Sequence, residues 1–333
     1  MEKPSRIFKY DNLKFVLIAL VVIGHMADYY PGWDKVTTYT LTRQYIYAFH
    51  MPLFIFVSGL FYKNKNVAQK VFSFLFCALG MTAVNTLIKI VFKRKAAPDI
   101  LNVRGIEWYL YAMAFFYIGM YLLREINPKL LLSFSFLVSF LIGYTNEINH
   151  FLALTRVIVF FPFFILGTII NRDKLVELTK KKWLKPAGAL VLIGWAVFMI
   201  ITRDNIGKLT SVFYCAGKAA YRLLPDILIP YGVPLRILWY LFSAALGFAL
   251  ICLIPDKKLP AVSTFGSRTL QVYFWHTPII FALVYSGIAA KMTNTFTGQL
   301  IYLSLGMIIV LVLSLKPFAF PTSQIMKYSK RRD

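Results

Sequence analysis

Acidic residues are scarce in this chain. Only 14 Asp and Glu stand against 37 Lys and Arg, and charges of both signs fill 15% of its 333 positions. A soluble domain carries about a quarter charged residues, so this shortage excludes an ordinary water-soluble globule. Cysteine is nearly lacking as well: Cys77, Cys215 and Cys252 are odd in number and widely scattered. That excludes a disulfide framework and any thiolate ligand spacing, and no metal is expected. Internal repeats and low-complexity tracts are also missing.

What the chain has instead is apolar residues, 59% of the total. A hydrocarbon core about 30 Å thick needs roughly 20 mostly apolar residues per helical crossing. Runs of that kind lie near 13–30, 45–62, 70–92, 107–123, 130–145, 152–170, 184–202, 236–254, 269–289 and 297–315. They predict an all-α, polytopic transmembrane bundle of about ten spans, forming a single domain over 1–333. Lys3, Arg6 and Lys9 before the run Phe15–Ile23 resemble a secretory leader. A small-residue cleavage site is lacking and further spans follow, so the run is read as a first span.

The net charge of +23 would suggest nucleic acid in a soluble protein. Here the cations sit mostly in short loops between apolar runs, where they set topology, so nucleic acid is not expected and membrane lipid is. With the N-terminus inside, about 22 Lys and Arg fall on the inner side and about 13 on the outer, which predicts that both termini are cytoplasmic. The longest outer segment, 203–235, holds Asp204, Lys208, Lys218, Arg222, Pro225, Asp226, Pro230 and Pro234. A connection of this length is either a lid or acceptor-binding loop or a loose linker.

An ionisable residue inside a membrane helix is costly enough to count as a functional candidate. The first span has four. Asp11, Lys14, His25 and Asp28 fall on one helical face through the pattern 11, 14, 18, 21, 25, 28. A rise of 1.5 Å per residue separates Lys14 from His25 by about 16 Å, so they are not an ion pair. They are read as two stations along one path: Lys14 near the cytoplasmic headgroups, suited to an anion, and His25 deeper. A ligand with an anionic head and a long thin arm would join them, and coenzyme A thioesters have that shape. Histidine is the usual general base near neutral pH, and Asp28, one turn on, is placed to orient its ring. Against this stands a merely satisfied core histidine, which the shared charged face disfavours.

In FHMPLFIFVSGLF, His50 stands beside Pro52 and shares a face with Ser58. It is a second acid/base candidate or a donor to the acyl oxygen; Ser58 and Gly59 suit close helix packing. Glu107 and Trp108 open EWYLYAMAFFYI, where a Trp is also an ordinary interface residue. Arg156 stands near an outer span end, placed to snorkel or to bind an acceptor. His276 precedes Pro278, and a His there is commonly a satisfied imidazole at a kink.

These stretches carry a resemblance. KYDNLKFVLIALVVIGH, a basic residue, ten others and then His, resembles the first helix of the integral membrane acyltransferase 3 family. FHMPLFIFVSG, WYLYAM, FPFFILG and FGSRTLQVYFWHTPII are similar to its later blocks, in order, over most of the chain, and the flavour is that of the fucose 4-O-acetyltransferase-like branch. The resemblance implies a multi-pass protein of a bacterial inner or plasma membrane. It implies transfer of acetyl from cytoplasmic acetyl-CoA to a hydroxyl of a carbohydrate acceptor, an envelope polysaccharide or glycan precursor, with homo-oligomers left open. On this reading His25, Asp28 and His50 are the catalytic candidates, with Lys14, Asp11, Lys63 and Lys65 toward the donor. Glu107, Trp108, Arg156 and His276 are candidates for the acceptor. Two departures stand out: Lys14 occupies a position where many members have Arg, which offers a planar fork rather than a point charge, and KNKN at 63–66 replaces an Arg-rich pair. The alternative is a transporter or flippase for a glycan or small anionic solute, but the paired broken helices of inverted repeats are not found.

Overall fold

The computed structural model describes residues 6–96, 98, 100–145, 151–205 and 220–328. Among them the chain is all-helical, 78% helix without strands. The helices are α1 (Phe8–Asp28), α2 (Thr37–Tyr47), α3 (His50–Leu60), α4 (Val67–Val91), α5 (Trp108–Leu122), α6 (Pro128–Leu141), α7 (Leu154–Ile169) and α8 (Arg172–Thr179). They continue with α9 (Leu184–Ile201), α10 (Gly232–Leu253), α11 (Pro260–Gly266), α12 (Thr269–Tyr285), α13 (Ile288–Met292), α14 (Phe296–Leu313) and α15 (Thr322–Tyr328). Each predicted apolar run contains a helix. Five stretches, Phe8–Asp28, Val67–Val91, Leu184–Ile201, Asp226–Leu253 and Phe296–Leu313, are long and apolar enough to cross a membrane. A sixth arises if α7 and α8 count as one broken span. Other apolar runs make shorter helices; α5, at 15 residues, reaches only about 22 Å.

Two of the run boundaries move for physical reasons. The first helix starts at Phe8 rather than near residue 13, because the polar side chains of its first turns find partners inside the protein. Lys9 Nζ donates to the Ile254 carbonyl (2.6 Å), the Tyr10 hydroxyl to the Arg172 carbonyl (2.8 Å), and Asn12 Nδ2 to the carbonyls of Pro255 and Lys257 (3.0 Å each). The run 45–62 is divided between α2 and α3 at Ala48 and Phe49. Pro52 has no N–H to give an i−4 carbonyl, so it is accommodated in the first turn of a new helix rather than inside an old one.

The chain forms two compact units. The first comprises residues 1–50, 171–203 and 245–320. Within it α1 is the inner helix, packed by α2, α11, α12 and α14. Gly266 lets α11 lie on the α1 backbone, for a Cβ there would overlap the Asp11 carbonyl. By contrast α9 and α14 have only 28% of their apolar windows buried, against 72% for α1. Their exposed Leu190, Ile193, Ile200, Ile301 and Ile308 form the outward apolar surface that lipid requires.

The second unit comprises residues 51–170, 204–244 and 321–333. Here α4 packs on α5 and α15, and α7 on α5 and α6. Gly59 and Gly167 bring α3 and α7 into backbone contact: a Cβ on Gly59 would overlap the Phe164 carbonyl, and one on Gly167 the Phe56 carbonyl. Arg236, the largest fully buried side chain, donates through Nη1 to the Ser139 carbonyl and lies 4.5 Å over the Tyr221 ring. The Tyr221 hydroxyl donates to the Phe140 carbonyl (3.0 Å). Burial, outweighing the nearby Arg236, pushes its pKa up to about 12, so the phenol stays a neutral donor.

Of the long segment 203–235, residues 206–219, with Lys208 and Lys218, lie outside the described residues. The part after them is no loose linker. Tyr221 and Leu224 are buried, with Leu228, Ile229, Val233 and Leu235 packed against them.

The glycine contact gives a direct test. Gly59→Leu is expected to destabilise the protein by about 3 kcal/mol, through overpacking against backbone that has no room to move. Gly194→Ala, where a Cβ meets nothing within 4 Å, is expected to melt at or above the wild-type temperature. Thermal unfolding in detergent compares the two, and a Gly59→Leu protein as stable as Gly194→Ala would refute the close α3–α7 approach.

Candidate active site

The candidate site is built on the C-terminal end of α1. His25 stands one turn before the helix ends at Asp28, with its carbonyl accepting from the Tyr29 amide (3.0 Å). Gly24, just before it, makes room for a neighbour: a Cβ there would lie 2.8 Å from the Tyr47 ring. That ring meets His25 edge-on, with centroids 6.3 Å apart, and His50 at 4.9 Å. Tyr47 is thus the shared wall between the two histidines.

The structure gathers His25, Asp28, His50 and His276, the last of them 251 positions from the first. His25 Nδ1 lies 2.9 Å from His276 Nε2, with the two rings within 9° of parallel. His276 is fully buried on α12, and its Nδ1 lies 3.0 Å and 2.9 Å from the carbonyls of Val272 and Tyr273. His50 is buried at the start of α3, its Nδ1 2.8 Å from the Ile46 carbonyl. Asp28, expected to orient His25, accepts from Arg43 Nε and from the Tyr47 hydroxyl (3.2 Å). The partner on His25 Nδ1 is instead His276.

Arg43, Tyr47 and Trp33 had no place among the sequence candidates. The buried Arg43 guanidinium lies 4.1 Å from the Trp33 ring centroid and 5.0 Å from that of Tyr47. Planar stacking of this kind on both partners is a use to which arginine is better suited than lysine. The one sequence signal was Arg43 and Tyr47 at i, i+4, which share a face of α2.

Toward the other end of α1, Lys14 is half-buried and Asp11 buried, with Asp11 accepting from Arg6 Nε at 2.7 Å. Arg6 and Arg172 are close enough to act on Lys14 electrostatically. Lys14, Arg6 and Arg172 thus stand within electrostatic reach of one another beside Asp11, an arrangement suited to an anion.

The remaining candidates belong to the second unit. Lys63 and Lys65 are exposed between α3 and α4, and the Lys63 carbonyl accepts from Lys70 Nζ (3.1 Å). Glu107 is buried and accepts from Asn85 Nδ2 (2.8 Å), an asparagine absent from the sequence candidates. Trp108 carries the Arg156 guanidinium 5.4 Å from its ring centroid and packs on Phe160. Among the described residues no group of three or more His, Cys, Asp or Glu is arranged to hold a metal ion.

The family described as an acyltransferase domain matches residues 7–315. The chain belongs to this acyltransferase family, and among its described residues several helices are long and apolar enough to cross a membrane. It is similar to nodulation protein NolL of Mesorhizobium japonicum, 28% identical over 140 residues, a stretch covering 37% of this chain and 37% of that protein. The chain thus spans well under half the length of that curated relative. No solved structure matches it.

The Asp28–Arg43 pair sets the prediction for this site. Asp28 keeps some exposure while Arg43 is buried, so Arg43→Met is expected to cost about 2–3 kcal/mol, the lower edge for breaking a buried pair. Adding Asp28→Asn is expected to recover at least half of that. Unfolding of the single and double variants in detergent measures the coupling. A simple sum of two independent losses would show that the pair is not coupled.

Proposed function

We propose that this protein is a membrane O-acetyltransferase of the fucose 4-O-acetyltransferase-like branch. It moves acetyl from cytoplasmic acetyl-CoA to a hydroxyl of an envelope polysaccharide or glycan precursor. The observation that carries this reading is His25, held on the same inner helix as Lys14 about 16 Å away, in a chain that belongs to an acyltransferase family.

The cationic arrangement of Lys14, Arg6 and Arg172 fits the phosphates of the donor, and Lys14 is the residue that would hold them. When bound, acetyl-CoA supplies an activated thioester. His25 takes the proton from the acceptor hydroxyl as its oxygen attacks the acyl carbon, and returns it to the leaving thiolate, so the ring ends as it began. General-base assistance of this kind is worth about 10²–10⁴-fold. His50 directs Nδ1 at the Ile46 carbonyl, so that nitrogen carries a proton, and in the neutral ring the lone pair lies on Nε2. That polarity suits a hydroxyl of the acceptor better than an oxyanion. Asp28, through the Tyr47 hydroxyl, fixes the ring that separates the two histidines. In the second unit Trp108, Arg156 and Glu107 offer a ring face, a cation and a carboxylate, the groups that carbohydrate hydroxyls and ring faces meet.

Transfer of label from radioactive acetyl-CoA to envelope glycan in isolated membranes tests the reading. His25→Ala is expected to lose at least about 100-fold in rate, and wild-type transfer by that variant would sink the assignment. Lys14→Ala is expected to raise the KM for acetyl-CoA about tenfold, with a smaller effect on kcat, for loss of one charge-assisted contact. An unchanged KM would remove Lys14 from the donor site.

A further inference from the structure

We propose that His276 is a positioning residue that fixes the tautomer of His25, holding the proton on Nδ1 so that Nε2 is the basic nitrogen. The tautomer follows from the hydrogen-bond network itself; its catalytic meaning rests on the reading of His25 as general base.

A carbonyl oxygen accepts hydrogen bonds and never donates them. His276 Nδ1 faces two carbonyls, those of Val272 and Tyr273, at 3.0 Å and 2.9 Å. That nitrogen therefore carries a proton. Both carbonyls precede His276 by three and four residues on α12, so the ring is tied to its own helix and its outer edge has a fixed direction.

The second step concerns charge. His276 is fully buried, and its partners are the two carbonyls, the His25 ring and the Tyr273 ring, with no carboxylate among them. Keeping an imidazolium there would mean burying a cation without a counter-charge, which costs several kcal/mol. The ring is neutral. A neutral imidazole with its proton on Nδ1 has a lone pair on Nε2.

That lone pair meets His25 Nδ1 at 2.9 Å, an ordinary hydrogen-bond length. Two rings 5.2 Å apart between centroids and within 9° of parallel, joined nitrogen to nitrogen at that distance, lie edge to edge rather than face to face. This is the in-plane geometry of a ring N–H donating to a ring lone pair. His25 must be the donor, since His276 Nε2 has no proton to give. In the neutral state of His25, Nε2 then carries the lone pair, which is what a base requires.

The arrangement replaces the carboxylate found behind many catalytic histidines by a neutral ring. When His25 takes the acceptor's proton on Nε2, both of its nitrogens carry hydrogen. Its Nδ1–H bond to His276 then becomes charge-assisted and strengthens. Stabilisation appears as the proton moves, and the group behind His25 Nδ1 carries no charge at rest.

Nitrogen-15 NMR of histidine-labelled protein in detergent reads the tautomer directly, and the chain has four histidines to assign. In the wild type His25 is expected to show a protonated Nδ1 and a bare Nε2. In His276→Met it is expected to move to the Nε2–H form that free imidazole side chains favour. A wild-type His25 protonated on Nε2, or a tautomer unchanged in His276→Met, overturns the proposal.

Activity supplies a second readout. His276→Gln places an amide oxygen where Nε2 was and is expected to keep kcat within about tenfold. His276→Met is expected to lose about 10²-fold in kcat, with the KM for acetyl-CoA changed less than about twofold. Equal losses in the Gln and Met variants overturn the positioning role. If His276→Met does not fold, the wild-type spectrum still decides the tautomer. If His25→Ala retains full transfer while the spectrum shows the expected tautomer, the general-base reading fails and the hydrogen-bond assignment stands.

Discussion

Every polar group on α1 has to be satisfied inside the protein, and much of the first unit follows from that constraint. In lipid an unmade hydrogen bond costs several kcal/mol, because no water is at hand to replace it. α1 carries Lys9, Tyr10, Asn12, Lys14, His25 and Asp28, far more polarity than α9 or α14, and it is the most buried of the five long apolar stretches. Its partners come from opposite ends of the chain. Lys9 and Asn12 are satisfied by carbonyls at 254–257 and His25 by His276. Asp28 is satisfied by Arg43. The segments that supply these partners have little choice but to close around α1, for otherwise they leave buried charge behind them.

The two ends of α1 meet this demand by different means. At the N-terminal end the partners are backbone carbonyls, and Asn12 Oδ1 accepts from Ser263 Oγ at 2.7 Å. Carbonyls satisfy a donor without adding charge, so beside the Arg6–Asp11 pair Lys14 and Arg172 keep that end cationic. At the C-terminal end Asp28 pairs with Arg43, whose guanidinium lies against the rings of Trp33 and Tyr47. Stacking there replaces part of the hydration that the guanidinium lost. The histidines between them bond to backbone carbonyls and to one another. A helix with a positive end and a neutral, polar reaction centre matches a donor whose head is anionic and whose reactive group is not.

The sequence made the α1 face legible because a helical repeat needs only one segment to be read: 11, 14, 25 and 28 align whatever else the fold does. The apolar runs were legible for the same local reason. What lay hidden was every relation between segments. His25 and His276 are separated by 251 positions, and nothing in FGSRTLQVYFWHTPII points back to the first helix. Read alone, His276 beside Pro278 looks like a satisfied imidazole at a kink, and it is satisfied; the sequence could not say that one of its partners is His25. Arg43 escaped notice because it lies between two apolar runs, where a cation is ordinary, and only the folded α2 turns it toward Asp28. The early start of α1 was hidden too, since the carbonyls that allow Lys9 and Asn12 into a helix come from residues 254–257.

The spacing along α1 has a mechanistic consequence under the proposed function. Lys14 lies six residues into a 21-residue helix and His25 three from its end, so the two stations are about 9 Å and 26 Å along its length. A donor anchored at the first with its carbonyl at the second extends along most of the helix. The acyl group would then arrive near the far end while its anionic head stays at the near one, and no separate carrier has to take the activated group through lipid. This also explains why the base should be neutral at rest. A permanent carboxylate beside His25 would add a second buried charge close to Asp28, whereas a neutral His276 lets charge appear only while a proton is in transit. With the base three residues from the end of α1, the proposed function puts the meeting with an envelope glycan at that end of the helix.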